Sequence, residues 1–379
     1  MSRMRWWLPG LVLGAAVVGC SGPSAGDQTA RVGYSRVVSF GDSLSDVGTY
    51  RVSTIAAVGG GEYTVNDPVN NPMGGLNWTE LLATQVGATA PCPAMTGLQS
   101  VIPQIPAAAI MTYADCYNYA QGGARVTNPV GPGNIALWLG LGDTSGQLGQ
   151  LTVPVVTQIN NFLTAHGSFA SDDLVTVFAG GNDVFINLAT LQATIAGGGD
   201  ATAAVTAAVT AMGTAGAEEA GYITQLILPA GAKHVVVVNI PDVSVTPLGI
   251  GLGAQTQAII QMMVEAFNQQ LAAGLAGHTD TVLQVDLYTQ SQQEHADPDQ
   301  YGLTEVDTPA CDLTDSRGQT TPGAELLAGV PTSLLCTTGT TLATDVSRYE
   351  YADTVHPTPY AYSLITSLVV TRMAQNGWL

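Results

Sequence analysis

A three-layer α/β/α fold around a mostly parallel, five-stranded sheet is the class this sequence predicts, on three observations. Short continuous apolar runs recur along the chain, the pattern of strands buried on both faces. Helix-length stretches alternate with those runs, and such alternation covers a parallel sheet with helices on both sides. Residues with chemistry to offer follow two of the runs closely, Asp42-Ser43 after the first and Asn182-Asp183 after another. That is the carboxyl edge, where open α/β sheets hold their ligands. The chain has 379 residues, 46% of them hydrophobic, which is ample for one large core. No break in composition splits the region after residue 35 into two domains.

Taken in order, the chain opens on a basic stretch, Met1-Ser2-Arg3-Met4-Arg5, and an apolar run from Trp6 to Val18. The run is too short to span a bilayer and reads as an export signal over residues 1–19. Val17-Val18-Gly19-Cys20 resembles the lipobox of bacterial lipoproteins, in which the cysteine is acylated and becomes the first residue. Cys20 is therefore the expected lipid anchor, and a plain secretory signal cut elsewhere is the alternative. Residues 20–35, rich in Gly, Ser, Pro and Ala, read as a flexible tether. The domain then occupies residues 36–379, with strands at Val37 to Phe40, Leu174 to Phe178, Val235 to Asn239 and Val282 to Asp286. A short fifth strand is expected near Tyr117 to Ala120. Helices are expected over residues 78–86, 148–166, 201–228, 255–276 and 359–376. Two insertions near 87–116 and 290–344 break the alternation, and each carries two cysteines. Loops of that length in a compact domain are usually functional or disordered, and these read as walls around a site.

The formal net charge is −19, the pI is near 4.2, and Lys233 is the only lysine. Such a chain cannot neutralise a phosphate backbone, which excludes nucleic acid as a partner. The acidity fits solubility or a salty habitat. Setting Cys20 aside, Cys92, Cys116, Cys311 and Cys336 are an even number behind an export signal, the setting in which disulfides form. Four cysteines allow three pairings. Nearness favours Cys92 with Cys116 and Cys311 with Cys336, each closing a loop of about 25 residues, valued by chain entropy at about 3 kcal/mol. No Cys-x-x-Cys or His-rich spacing supports zinc, and no Asp-x-Asp-x-Asp-Gly loop supports calcium, so no metal is expected.

Two serine motifs compete for the role of nucleophile. Gly22-Pro23-Ser24-Ala25-Gly26 is formally a nucleophile elbow, but an elbow needs a strand before it and a helix after it. Ser24 lies in the tether and has neither. Ser43 has its strand, because Val37-Val38-Ser39-Phe40 empties into Gly41-Asp42-Ser43-Leu44-Ser45-Asp46. A hydroxyl is a weak nucleophile unless a base takes its proton and a third group orients that base. Asp353-Thr354-Val355-His356-Pro357 supplies both from one short loop, whereas His166, His234, His278 and His295 have no acidic residue so placed.

Phe40-Gly41-Asp42-Ser43-Leu44-Ser45-Asp46, Asn118-Tyr119-Ala120-Gln121-Gly122-Gly123-Ala124, Ala179-Gly180-Gly181-Asn182-Asp183 and Asp353-Thr354-Val355-His356-Pro357-Thr358 stand in the order of four family blocks. They are similar to the blocks of the GDSL, or SGNH, hydrolases, and the resemblance runs from Val37 to the C-terminus. The first two blocks resemble the esterase and lipase branch that includes secreted bacterial acylhydrolases. The resemblance implies the SGNH-hydrolase, flavodoxin-like fold and carboxylic ester hydrolysis through an acyl-Ser43 intermediate, with Asp353 and His356 completing a triad. It also implies an oxyanion hole made by the backbone N–H groups of Ser43 and Gly123 and the side-chain amide of Asn182. Gly122 and Gly123 could exchange roles, but the five residues from Asn118 to Gly123 match the family spacing. A glycine suits position 123 because a side chain would hold the backbone away from substrate. Asp42, Asp46 and Asp183 read as turn and network residues. Trp138, Leu139 and Leu141 offer an apolar stretch for an acyl pocket or for core packing. The expected substrate is an acyl ester or lipid, no cofactor is implied, and the chain is expected at the cell envelope through Cys20 or outside the cell. Phospholipase, lysophospholipase or acyltransferase activity on long acyl chains is the nearest alternative. A non-catalytic surface lipoprotein is the alternative of a different class.

Overall fold

The computed structural model describes residues 32–67, 75–139, 148–313 and 332–379. Cys20, Ser24 and nearly all of the tether lie outside them, as do Leu141 and the side chains of Trp138 and Leu139. In chain order the elements are β1 (Arg36–Gly41), α1 (Ser53–Ala57), α2 (Trp78–Val86), β2 (Met95–Leu98), β3 (Ala108–Thr112), α3 (Ile135–Leu139), α4 (Val155–His166) and β4 (Asp173–Phe178). They continue with α5 (Gly181–Ala196), α6 (Ala201–Tyr222), β5 (His234–Val238), α7 (Pro247–Gly251), α8 (Ala254–Leu275), β6 (Val282–Val285), α9 (Leu287–Ala296) and α10 (Pro359–Gln375).

Strands β1, β4, β5 and β6 lie side by side in that order and all run parallel. Their side chains alternate between two buried faces. Val38, Phe40, Val175, Val177, Val235 and Val237 meet α4, α5, α6 and α8. Val37, Leu174, Phe178, Val236 and Val238 meet Trp78 and Leu82 of α2 and Tyr362, Ile365 and Val369 of α10. Burial on both faces is why these strands read as unbroken apolar runs. Helix α2 starts on a reciprocal cap: Asn77 accepts from the N–H groups of Thr79 and Glu80, and Glu80 accepts from the N–H of Asn77. Such a cap is worth about 1 kcal/mol.

The central sheet has four strands among the described residues, not five. The segment at Tyr117–Ala120 reaches β1 through a single bridge between Ser39 and Asn118. Ser39 donates its N–H to Tyr117 at 3.0 Å, and Tyr119 donates to Ser39 at 2.8 Å. The pairing stays short because Asn118 is also committed sideways, donating to the Cys92 carbonyl and accepting from Ala94. The cysteines form the two neighbouring pairs, Cys92–Cys116 and Cys311–Cys336. Neither insertion is a bare loop: β2 and β3 pair antiparallel within the first, and α9 runs into the second. The hairpin leaves no buried apolar run in the sequence because β3 is exposed along most of its length. A third apolar cluster, including Tyr50, Tyr63, Ile105, Leu334 and Ala352, gathers the loops together.

The segment leading to His356 contains a buried acid. The carbonyl of Glu350 accepts from Thr358 at 2.8 Å, while its side chain is buried with Oε2 unpartnered. Burial, and then the negative charge of Glu294, push the Glu350 carboxyl up to about 8. As pH rises from the ordinary glutamate range toward that value, the unfolded chain ionises while the native chain stays protonated, so native stability falls over this window. Calorimetry should therefore show Glu350→Gln melting several degrees above wild type at about pH 8 and much closer to it at about pH 5.

Candidate active site

The nucleophile turn is clamped from below before it begins. Gly41 donates its N–H to Gln158 Oε1 at 2.9 Å, and Gln158 Nε2 donates back to the Gly41 carbonyl at 2.8 Å, so α4 holds the carboxyl end of β1. Asp42 then folds the turn by accepting from the N–H of Leu44 at 3.0 Å. Burial pushes the Asp42 carboxyl up to about 7, against the pull of that hydrogen bond and of His356. Ser43 follows, its Oγ 2.8 Å from His356 Nε2. The other ring nitrogen of His356, Nδ1, lies 2.7 Å from Asp353 Oδ2.

Asp353 is buried and richly supplied with donors. Its Oδ1 accepts from the N–H groups of Val355 at 2.9 Å and His356 at 2.8 Å, and Oδ2 also accepts from Ser333 at 2.8 Å. Burial alone would raise this carboxyl, but the His356 charge and the hydrogen bonds from His356 and Val355 outweigh it and hold Asp353 well below the usual carboxylate range. The Tyr63 ring lies 4.8 Å from the His356 ring, and Tyr362 donates to the Tyr63 carbonyl at 3.1 Å. These contacts fix the imidazole from its face as well as its edge.

The other blocks converge on the same turn. Asp46 Oδ1 accepts from Gly48 at 2.9 Å and Thr49 at 2.7 Å, and its Oδ2 accepts from Gly122 at 2.9 Å. Asn118 Nδ2 donates to the Ser45 carbonyl at 2.8 Å. Asp183 pairs with Arg125 Nε at 2.8 Å and accepts from Val126 at 3.0 Å. Asn182, in the first turn of α5, donates one amide proton to the Ala124 carbonyl at 2.9 Å and keeps the second. The N–H of Gly122 is thus committed to Asp46, whereas those of Ser43 and Gly123 meet no acceptor among the described residues. Gly123 has φ +78°, and a Cβ there would come within 2.7 Å of Thr152 Cγ2 and 2.9 Å of Gln150 Oε1. The backbone conformation and the wall behind it thus favour glycine at this position.

Ser43, Asn182 and His356 line one cleft of about 50 Å³, walled mainly by Leu44, Phe178, Phe185, Ile240, Val243 and Val355. Among the described residues neither insertion contributes to the lining of that cleft. The second insertion stands behind the acid instead, through Ser333. Ile240 and Val243 follow β5, and their place past the end of a legible strand is the signal that could have found them. Tyr63 and Ser333 carry no such signal.

A hydroxyl, an imidazole and a carboxylate in line at the carboxyl edge of a parallel α/β sheet have the geometry of a serine hydrolase. The family model described as GDSL-like Lipase/Acylhydrolase matches residues 37–369, and the chain belongs to this family of ester hydrolases. Among solved structures it is similar to the extracellular lipase of Streptomyces rimosus, with 17% identity, coverage of 67% of this chain and 81% of that one, and a TM-score of 0.33. No curated protein matches in sequence.

Because Ser333 lies three residues before Cys336, that disulfide holds a donor onto Asp353, while Cys92–Cys116 holds the hairpin. Cys311→Ser/Cys336→Ser should lower ester hydrolysis about tenfold by loosening the acid, and Cys92→Ser/Cys116→Ser should change it less than about twofold. Initial rates on folded protein, verified by circular dichroism, check the contrast.

Proposed function

We propose that this chain hydrolyses carboxylic esters through a covalent acyl-Ser43 intermediate. The observation that carries this reading is the unbroken line of short contacts from Ser43 Oγ through His356 to Asp353, opening on an apolar cleft. In the first half-reaction Ser43 Oγ bonds to the acyl carbon as His356 Nε2 takes the hydroxyl proton. Asp353 keeps the remaining ring proton on Nδ1 and stabilises the imidazolium. The carbonyl oxygen becomes an oxyanion, received by the N–H groups of Ser43 and Gly123 and by the free amide proton of Asn182. Collapse breaks the bond to the alkoxy oxygen, which leaves with the proton held by His356. Water then repeats the sequence on the acyl-enzyme, releasing the acid and restoring the Ser43 hydroxyl.

The cleft supports one substrate class. Its lining is mostly apolar and its volume, about 50 Å³, suits the carbonyl end of an acyl chain, with further carbons passing out over Val243 and Thr246. An acyl ester or lipid fits this description better than a charged or heavily hydroxylated ester, since burying an unpaired polar group there is costly.

Hydrolysis of nitrophenyl acyl esters tests the reading. Ser43→Ala should reduce kcat at least about a thousandfold, and Asn182→Ala about a hundredfold with little change in KM, as expected for a donor that acts on the oxyanion. Equal rates for wild type and Ser43→Ala would sink the proposal.

A further inference from the structure

We propose that α7 and the turn before it form a seat for an electrically neutral lipid surface, from which the ester enters the cleft; this rests on the ester-hydrolase reading of that cleft. Ile250 and Leu252 are each 37% exposed, although both are large and apolar. Their exposure is built in. Thr246 caps α7 by accepting from Gly249 at 3.2 Å and anchors itself by donating to the Val243 carbonyl at 2.8 Å. Gly249 sits so close to the preceding turn that a Cβ would come within 2.5 Å of the Val243 carbonyl oxygen and 2.4 Å of that of Ser244. Gly249 thus packs against that turn with no room for a side chain.

The backbone ties this patch to the cleft wall, Ile250 donating its N–H to the Thr246 carbonyl at 2.9 Å. Val243 and Thr246, at its inner margin, line the cleft together with Ser43 and His356. Leu248 donates its N–H at 3.0 Å to the carbonyl of Thr354, which stands between Asp353 and His356. A molecule resting on Ile250 and Leu252 therefore rests at the edge of the catalytic loop.

Charge and size choose the occupant. No charged residue occurs between Asp242 and Glu265, in a chain whose net charge is −19. An anionic headgroup would be repelled by the protein as a whole, and a neutral one meets no charged side chain from this segment. A stable protein partner takes about 20–30 residues on each side, far more than this short helix presents. Among the described residues no helix is long and apolar enough to cross a membrane. A surface of zwitterionic or uncharged lipid is the partner that fits.

The test is co-sedimentation with phosphatidylcholine vesicles of Ser43→Ala protein, which leaves the lipid intact. Adding Ile250→Ser and Leu252→Ser should weaken partitioning about tenfold or more. Adding Ile110→Ser and Met111→Ser, which remove comparable exposed side chains from the hairpin, should change it less than about twofold. An Ile250→Trp variant should show a blue-shifted emission when vesicles are added, a readout independent of the double variant's folding. Absent binding by the parent, equal binding by the α7 variant, loss in the hairpin variant instead, tighter binding to phosphatidylglycerol, or an unshifted emission from the Ile250→Trp variant would each overturn the proposal. With Ser43 intact, Ile250→Ser/Leu252→Ser should hydrolyse a soluble nitrophenyl ester within about twofold of wild type. Failure of wild type to cleave that ester would count against the hydrolase reading alone, because partitioning is read on Ser43→Ala.

Discussion

A carboxylate kept ionised inside the protein is the constraint around which this molecule is arranged. Asp353 lies beneath the surface and accepts from one ring nitrogen and three backbone N–H groups. Removing one partner from a buried charge costs about 3–5 kcal/mol, so each donor must be delivered accurately. The tight turn from Asp353 to His356 delivers two of them, and the turn is closed by Ala352 donating to the His356 carbonyl at 2.7 Å. Ser333 delivers a third from a segment stapled by Cys311–Cys336. Thr358 then caps α10, whose apolar face is locked onto the sheet. The orientation of the His356 ring is thus inherited from the core.

A second set of buried polar contacts brings distant parts of the chain to the same sheet edge. Asp46 reaches Gly122, Asn118 reaches Ser45, Asn182 reaches Ala124, and Asp183 reaches Arg125 and Val126. The first three bonds join one sequence block to another and those of Asp183 reach the two residues that follow the second block, and buried polar groups of this kind are costly to leave unpaired. In the proposed mechanism their joint effect is to hold three donors, from Ser43, Gly123 and Asn182, ready before any substrate arrives. Pre-set donors need no reorganisation when charge develops, which is what makes them effective in ester cleavage.

Much of this was legible in the sequence, for a physical reason. Strands buried on both faces leave continuous apolar runs, so β1, β4, β5 and β6 stand out, and helix-length stretches over residues 78–86 and 359–376 mark α2 and α10. The Gly-Asp-Ser turn and the Asp-x-x-His loop carried chemistry at short spacing, and the structure brings Ser43, Asp353 and His356 together. What stayed hidden depends on contacts across long separations. Tyr63 against His356 and Ser333 against Asp353 leave no local pattern, and the walls at Phe185 and Val243 become walls only once β4 and β5 are neighbours. The exposed hairpin β2–β3 lacked the burial that marks a strand, and the bridge at Asn118 was too short to count as one. The family spacing singles out Gly123, while the proximity of Thr152 and Gln150 to it belongs to the fold.

In the proposed mechanism Ser43 is a nucleophile because His356 activates it. Labelling with a fluorophosphonate, which phosphonylates only an activated serine, followed by peptide mass spectrometry tests this directly. The account predicts one adduct, on Ser43 in wild type, and a labelling rate in His356→Ala reduced to that of an ordinary surface serine. An adduct on another serine, or undiminished labelling of Ser43 without His356, would contradict it.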